Sequence, residues 1–147
     1  MEENDTSLGV LRDLVGYHLR RASNDFSSDF AVAIEGTGMR QVLFAILSVV
    51  SANPEINQGA AGRALGIQRA NMVLLINQLV DAGLLDRKTA REDRRAFALT
   101  LTPLGADTLQ ECLKRIEAHE KRLLADLSAA ERKTLIALLT RIEARER

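Results

Sequence analysis

Arg91, Arg94 and Arg95 crowd a short stretch that also holds an acidic pair, Glu92 and Asp93. Guanidiniums gathered on a turn suit a polyanion, because they are always charged and present a rigid fork of donors. An isolated arginine on a loop is floppy, and ordering it opposes binding through side-chain entropy. A carboxylate two residues away can hold it by a charge-assisted hydrogen bond. Asp93 is placed to preposition Arg95 in this way. A second group, Gln68, Arg69, Ala70 and Asn71, opens an apolar-periodic segment. An arginine can bond guanine with two hydrogen bonds and an asparagine can do the same for adenine. Arg69 can equally bond a phosphate, and Asn71 can equally be a polar helix-start residue without a base contact. A third group, Tyr17, His18 and Arg21, joins a phenol, an imidazole and a cation, which together could meet an anionic or phenolic small molecule.

Catalytic constellations are missing from the pattern. His18, His119 and the sole cysteine, Cys112, are the only nucleophile or base candidates beyond carboxylates, and they fall in separate segments. There is no metal-ligand spacing, no glycine-rich phosphate loop and no nucleophile elbow. Neither a metal nor a cofactor is expected, and an enzyme is the weaker reading. Cys112 reads as a small core residue. His18 lies on an apolar stripe, which fits a hydrogen-bonded core or dimer-interface histidine as well as a ligand contact.

The 147 residues suffice for one domain with a real core. Twenty bases balance twenty acids, but unevenly along the chain. Residues 1–35 are acidic. Residues 56–80 contain no acid and two bases, Arg63 and Arg69. A local positive patch can bind nucleic acid whatever the total charge. The acidic start, MEENDTSLGV, lacks the apolar run of a signal peptide, and no window reads as a transmembrane helix. A soluble cytoplasmic protein with no membrane partner is the expectation.

Elements that would position these residues follow from periodicity and turn chemistry. Thr6 or Ser7 caps a first helix from Leu8, whose pattern weakens over Ser23–Phe30. EGTG at Glu35–Gly38 is a break, and a second helix spans Met39–Ala52. Asn57 caps a short helix that Gly66 ends. The next helix, with Val73, Ile76, Leu79 and Val80 inward, ends at Gly83. Two helices across a tight glycine turn make a helix-turn-helix candidate. Leu84–Lys88 and Phe97–Leu101 read as two strands with the charged knot at their tip. Thr102 and Pro103 start a long helix carrying Leu109, Leu113, Ile116, Leu123 and Leu127. Ser128 and Glu131 form a capping box for a last helix with Leu135, Leu138, Leu139 and Ile142.

The fold expected is mainly α with a small β-hairpin wing: a winged helix-turn-helix over residues 39–102, flanked by dimerisation helices at 8–30 and 103–147, all in one domain of residues 1–147. In such a lobe the second short helix enters the DNA major groove. The wing arginines reach the backbone or the minor groove, where negative potential is concentrated.

The stretch DRRAFALTLTPLG, Asp93–Gly105, resembles the wing signature of the MarR (multiple antibiotic resistance regulator) family: Asp, any residue, Arg, a short strand, then Leu-Thr, two residues and Gly. LVDAGLLDRK, Leu79–Lys88, resembles the family's recognition-helix end and first wing strand. The resemblance extends over about Leu8–Ile142. It implies a homodimeric transcriptional regulator, expected to be a repressor that binds a pseudo-palindromic operator on double-stranded DNA. By motif match Arg95 is the minor-groove arginine and Asp93 its partner. Many relatives carry Arg or Thr where this chain has Leu74, so base readout is expected to rest on Gln68–Asn71. Family members often release DNA on binding a small aromatic acid or related ligand. The Tyr-x-Leu-Arg-Arg run at residues 17–21 is similar to one in relatives that control aromatic-compound catabolism, some of which answer to aromatic acyl-CoA thioesters. The competing reading is a winged helix that contacts protein rather than DNA.

Overall fold

The computed structural model describes residues 6–89 and 97–143. Among them the chain forms six α-helices and three short strands. Ser7 Oγ accepts from the Gly9 amide at 3.1 Å, but neither Thr6 nor Ser7 is the helix cap: the chain there forms only a 3-10 turn, Gly9–Asp13, whose N-cap is Leu8 with no side-chain cap bond. Leu14 is extended, and helix α1 begins at Val15 and runs to Ala33. It continues straight through Ser23–Phe30, where the helical pattern fades in the sequence. Phe26 and Phe30, one turn apart, both point their rings edge-on to His119 on a distant helix. That packing outweighs the weak helix preference of the serines and aspartates between them.

Helix α2 (Gln41–Ala52) buries Leu43, Ile46, Leu47 and Val50 and forms the centre of the core. Strand β1 is only Ile56–Asn57. Asn57 then caps helix α3 (Gln58–Leu65), its Oδ1 accepting from the Ala60 amide at 2.6 Å. Gly66 ends α3 in the left-handed region at φ 67°. Helix α4 (Arg69–Asp81) follows and buries Met72, Ile76 and Leu79. Met72 takes the inward place expected of Val73, which is 42% exposed. The reason lies across the turn: a Cβ on Gly62 would stand 2.8 Å from Met72 Cγ, so the bare glycine lets α3 and α4 close around the methionine.

Strands β2 (Leu85–Thr89) and β3 (Phe97–Leu101) pair antiparallel, with Leu85 opposite Leu101 and Arg87 opposite Leu99. β3 is the central strand, because β1 pairs its other edge through Ile56 and Leu99. The two-residue β1 has no alternation to reveal it in sequence. Leu99 is fully buried under the sheet.

Helix α5 (Pro103–Leu123) starts at a clasp. Thr102 Oγ1 donates to the Gly83 carbonyl at 2.6 Å and accepts from the Gly105 amide at 2.9 Å. The Thr102 amide donates to the Leu84 carbonyl at 3.1 Å. A Cβ on Gly105 would lie 2.0 Å from that same carbonyl oxygen. The Leu-Thr-x-x-Gly run thus ties the end of the wing to the residues just after α4. Helix α6 (Ala129–Ile142) opens with a complete Ser128–Glu131 capping box. Leu135, Ile136, Leu138 and Ile142 on it are exposed in the single chain, as are Leu8, Val10, Leu11 and Leu14 at the other end. No helix among the described residues is long and apolar enough to cross a membrane.

Candidate nucleic-acid interface

Helix α4 advances about 100° per residue. Ile76 points into the core, so Leu74, two residues earlier, points almost directly away from it. Leu74 is 65% exposed. Asn71 and Gln78, one turn before and after, complete an outward ridge, and both are exposed on the same side of the helix. Gln68 is the N-cap residue and makes no side-chain cap bond. Ala70 is exposed.

Arg69 does not share that ridge. Seven residues from Ile76, it starts the helix on the core side. There it lines a cleft of about 530 Å³ with Asn57, Gln58, Arg63 and Phe97. The sequence cluster Gln68–Asn71 is therefore split: Asn71 looks outward and Arg69 looks along the cleft. This cleft holds two guanidiniums beside the N-terminal end of α3, and both the charges and the helix dipole favour an anion.

Two further cations bond to helix α4 through side-chain amides. Arg40, the N-cap residue of α2, donates from Nη2 to Gln78 Oε1 at 3.0 Å. Arg87 on β2 donates from Nη1 to Asn77 Oδ1 at 2.7 Å, and its guanidinium sits 5.0 Å over the Phe97 ring. Lys88 is exposed beside it. Arg40–Gln78 spans 38 residues and Arg87–Asn77 spans ten, so neither is a local sequence pattern. Arg91, Asp93, Arg94 and Arg95 lie outside the described residues.

Tyr17, His18 and Arg21 cluster on the first turns of α1. Arg21 Nη1 donates to Tyr17 Oη at 2.9 Å. His18 Nε2 is 2.8 Å from the Arg12 carbonyl. The imidazole is exposed in the single chain, so it is not a core histidine. A cavity of about 370 Å³ lies further along, where α1 gives way to α2, with Phe30, Ile34, Met39 and Arg40 in its wall. Cys112 is fully buried, as expected of a core residue.

Residues 38–96 match the sequence model of the MarR family. A protein of Thauera aromatica, assigned as transcriptional regulator of the hcr operon, is 36% identical over 135 residues, covering 91% of this chain and 81% of that one. The chain belongs to the MarR family. Two solved structures of a family repressor, CouR, agree along nearly the whole length. CouR bound to a 23-mer DNA duplex superposes with a TM-score of 0.89 at 33% identity, covering 95% of this chain and 99% of CouR. CouR bound to p-coumaroyl-CoA superposes with a TM-score of 0.79 at 31% identity, covering 97% and 100%. The winged helix expected from the sequence is thus the fold of this MarR-family transcriptional regulator.

Proposed function

We propose that this MarR-family regulator is a homodimeric, sequence-specific DNA-binding repressor that a small aromatic acid or aromatic acyl-CoA thioester releases from its operator. One observation carries the DNA reading. The outward ridge of α4 belongs to a stretch with no carboxylate from Ile56 to Val80, and Arg40, Arg63, Arg69 and Arg87 surround it. Asn71 and Leu74 would face the major groove while Arg63 and Arg69 grip phosphates. Arg91, Arg94 and Arg95 would extend the contact from the wing, with Asp93 supporting Arg95. The DNA complex of CouR supports this reading.

The apolar side chains left exposed at both ends of the chain supply the dimer surface, so residues 8–30 and 103–147 would be the dimerisation segments around a lobe of residues 39–102. A two-fold dimer should prefer a pseudo-palindrome with half-sites about 10 bp apart. The effector site would draw on Tyr17, His18 and Arg21, and the p-coumaroyl-CoA complex of CouR supports the ligand class.

The deciding experiment is selection of bound sequences from a random duplex pool, followed by a salt titration on the enriched duplex. A symmetric site bound with a steep salt dependence is expected. A monomer in sedimentation, or weak binding that ignores both sequence and salt, would overturn the reading. p-Coumaroyl-CoA added to the complex tests the effector: it should weaken binding, and His18→Ala or Arg21→Ala should blunt that response while sparing ligand-free affinity.

A further inference from the structure

Leucine is an unexpected residue for the crest of a DNA-facing helix. Leu74 has no donor or acceptor, is 65% exposed, and stands opposite the buried Met72–Ile76–Leu79 stripe, so it adds nothing to the core. Its neighbours on the ridge are polar. Gln78 is drawn toward Arg40 through its side-chain oxygen, and Leu74 is the apolar crest between it and Asn71. The charge around the ridge fixes the occupant as a polyanion: arginines flank it, and the first carboxylate after Glu55 is Asp81 at the far end of α4. In the major groove of double-stranded DNA only one apolar group distinguishes the base pairs, the C5-methyl of thymine.

We propose that Leu74 is a specificity-determining residue that reads thymine by packing against its C5-methyl, once in each half-site. This deepens the DNA-binding reading above and rests on it. Asn71, one turn nearer the helix start, lies beside it with an amide suited to adenine. The recognition helix then selects by one apolar and one amide contact rather than by a central arginine, and base readout extends beyond Gln68–Asn71 to the middle of the helix.

The test uses the duplex that the wild-type dimer itself enriches from a random pool. Thymines in that duplex are replaced by uracil, one symmetric pair at a time, which removes only the methyl. One pair should weaken wild-type binding by roughly fourfold per methyl, or roughly fifteenfold for the two-fold site, at the free energy of burying one methylene-sized group. Leu74→Ala should bind the thymine and uracil versions of that pair equally, so the two changes are not additive. Leu74→Met, which keeps an apolar tip, should retain the thymine preference. Leu74 is exposed, and both variants should unfold at the wild-type temperature. If Leu74→Ala discriminates thymine from uracil as wild type does, or if no uracil pair weakens wild-type binding, the assignment of Leu74 is overturned while DNA binding stands. If wild type enriches no duplex and binds none with a steep salt dependence, the DNA reading falls and this proposal with it.

Discussion

His119 Nδ1 donates to Asp29 Oδ2 at 2.6 Å, joining α5 to α1 across 90 residues of sequence. The imidazole is 2% exposed and wedged between the ring edges of Phe26 and Phe30. Arg122, one turn further along α5, donates to Asp29 Oδ1 at 2.6 Å. A single carboxylate therefore satisfies a buried ring nitrogen and pairs with a cation. It fixes the angle at which the amino-terminal helix leaves the helix that follows the wing.

The His119 hydrogen bond, and then Arg122, hold the Asp29 carboxyl below its ordinary value. A depressed carboxylate adds stability that is fully present above the ordinary aspartate pKa of about 3.9 and is lost as pH falls through the lower folded value. Asp29→Asn should lower the thermal midpoint at neutral pH. The gap to wild type should narrow only once pH drops below about 4. Thermal unfolding of both proteins across that range measures it, and a gap that stays constant to the lowest pH would show that charge at Asp29 is irrelevant.

Gly105 permits a backbone approach that no other residue allows. A Cβ there would meet the Leu84 carbonyl oxygen at 2.0 Å, and that oxygen already accepts from the Thr102 amide. Gly105→Ala must push α5 off the wing or break the clasp. A loss of roughly 1–3 kcal/mol is expected, as for other overpacked sites. Denaturant unfolding should show a lower midpoint, and wild-type stability would mean the helix entry relaxes freely.

Local chemistry explains which features are legible in the sequence. Asn57, Gly66, Thr102 with Pro103, and Ser128 with Glu131 each act on backbone within a few residues, so their spacing alone announces helix ends. The wing strands show through alternation around Leu99. The exposed apolar residues of α6 declare a partner surface by their helical spacing alone, because a single winged-helix core has no room for them. What escapes is set by distance or by ambiguity. Asp29, His119 and Arg122 meet only after folding. Helix α1 persists through Ser23–Phe30 because of that same remote packing. Met72 and Val73 are adjacent apolar residues, and only the gap over Gly62 decides which turns inward.

Arg63 and Arg69 line one cleft, whereas Asn71 sits on the outward ridge, and this separates their expected effects. Arg63→Ala or Arg69→Ala should weaken every duplex alike and flatten the salt dependence by about one unit per subunit. Asn71→Ala should instead relax preference at one symmetric pair of positions, by roughly 1–3 kcal/mol per contact. Binding titrations on the enriched duplex and on scrambled duplexes distinguish the two patterns. A base-specific loss on removing Arg69 would place it in the groove rather than on the backbone.

The wing arginine offers a test whose sign is informative. Arg95→Ala should weaken operator binding and lower the salt slope by about one unit per wing. Asp93→Ala should weaken binding too, although it removes a negative charge that repels DNA. A bare charge effect predicts the opposite, tighter binding, so the direction of change separates prepositioning from bulk electrostatics. If Asp93 acts by holding Arg95, the double variant should lose less than the sum of the two single losses. Strict additivity, or tighter binding by Asp93→Ala, would show that the acid does not organise Arg95.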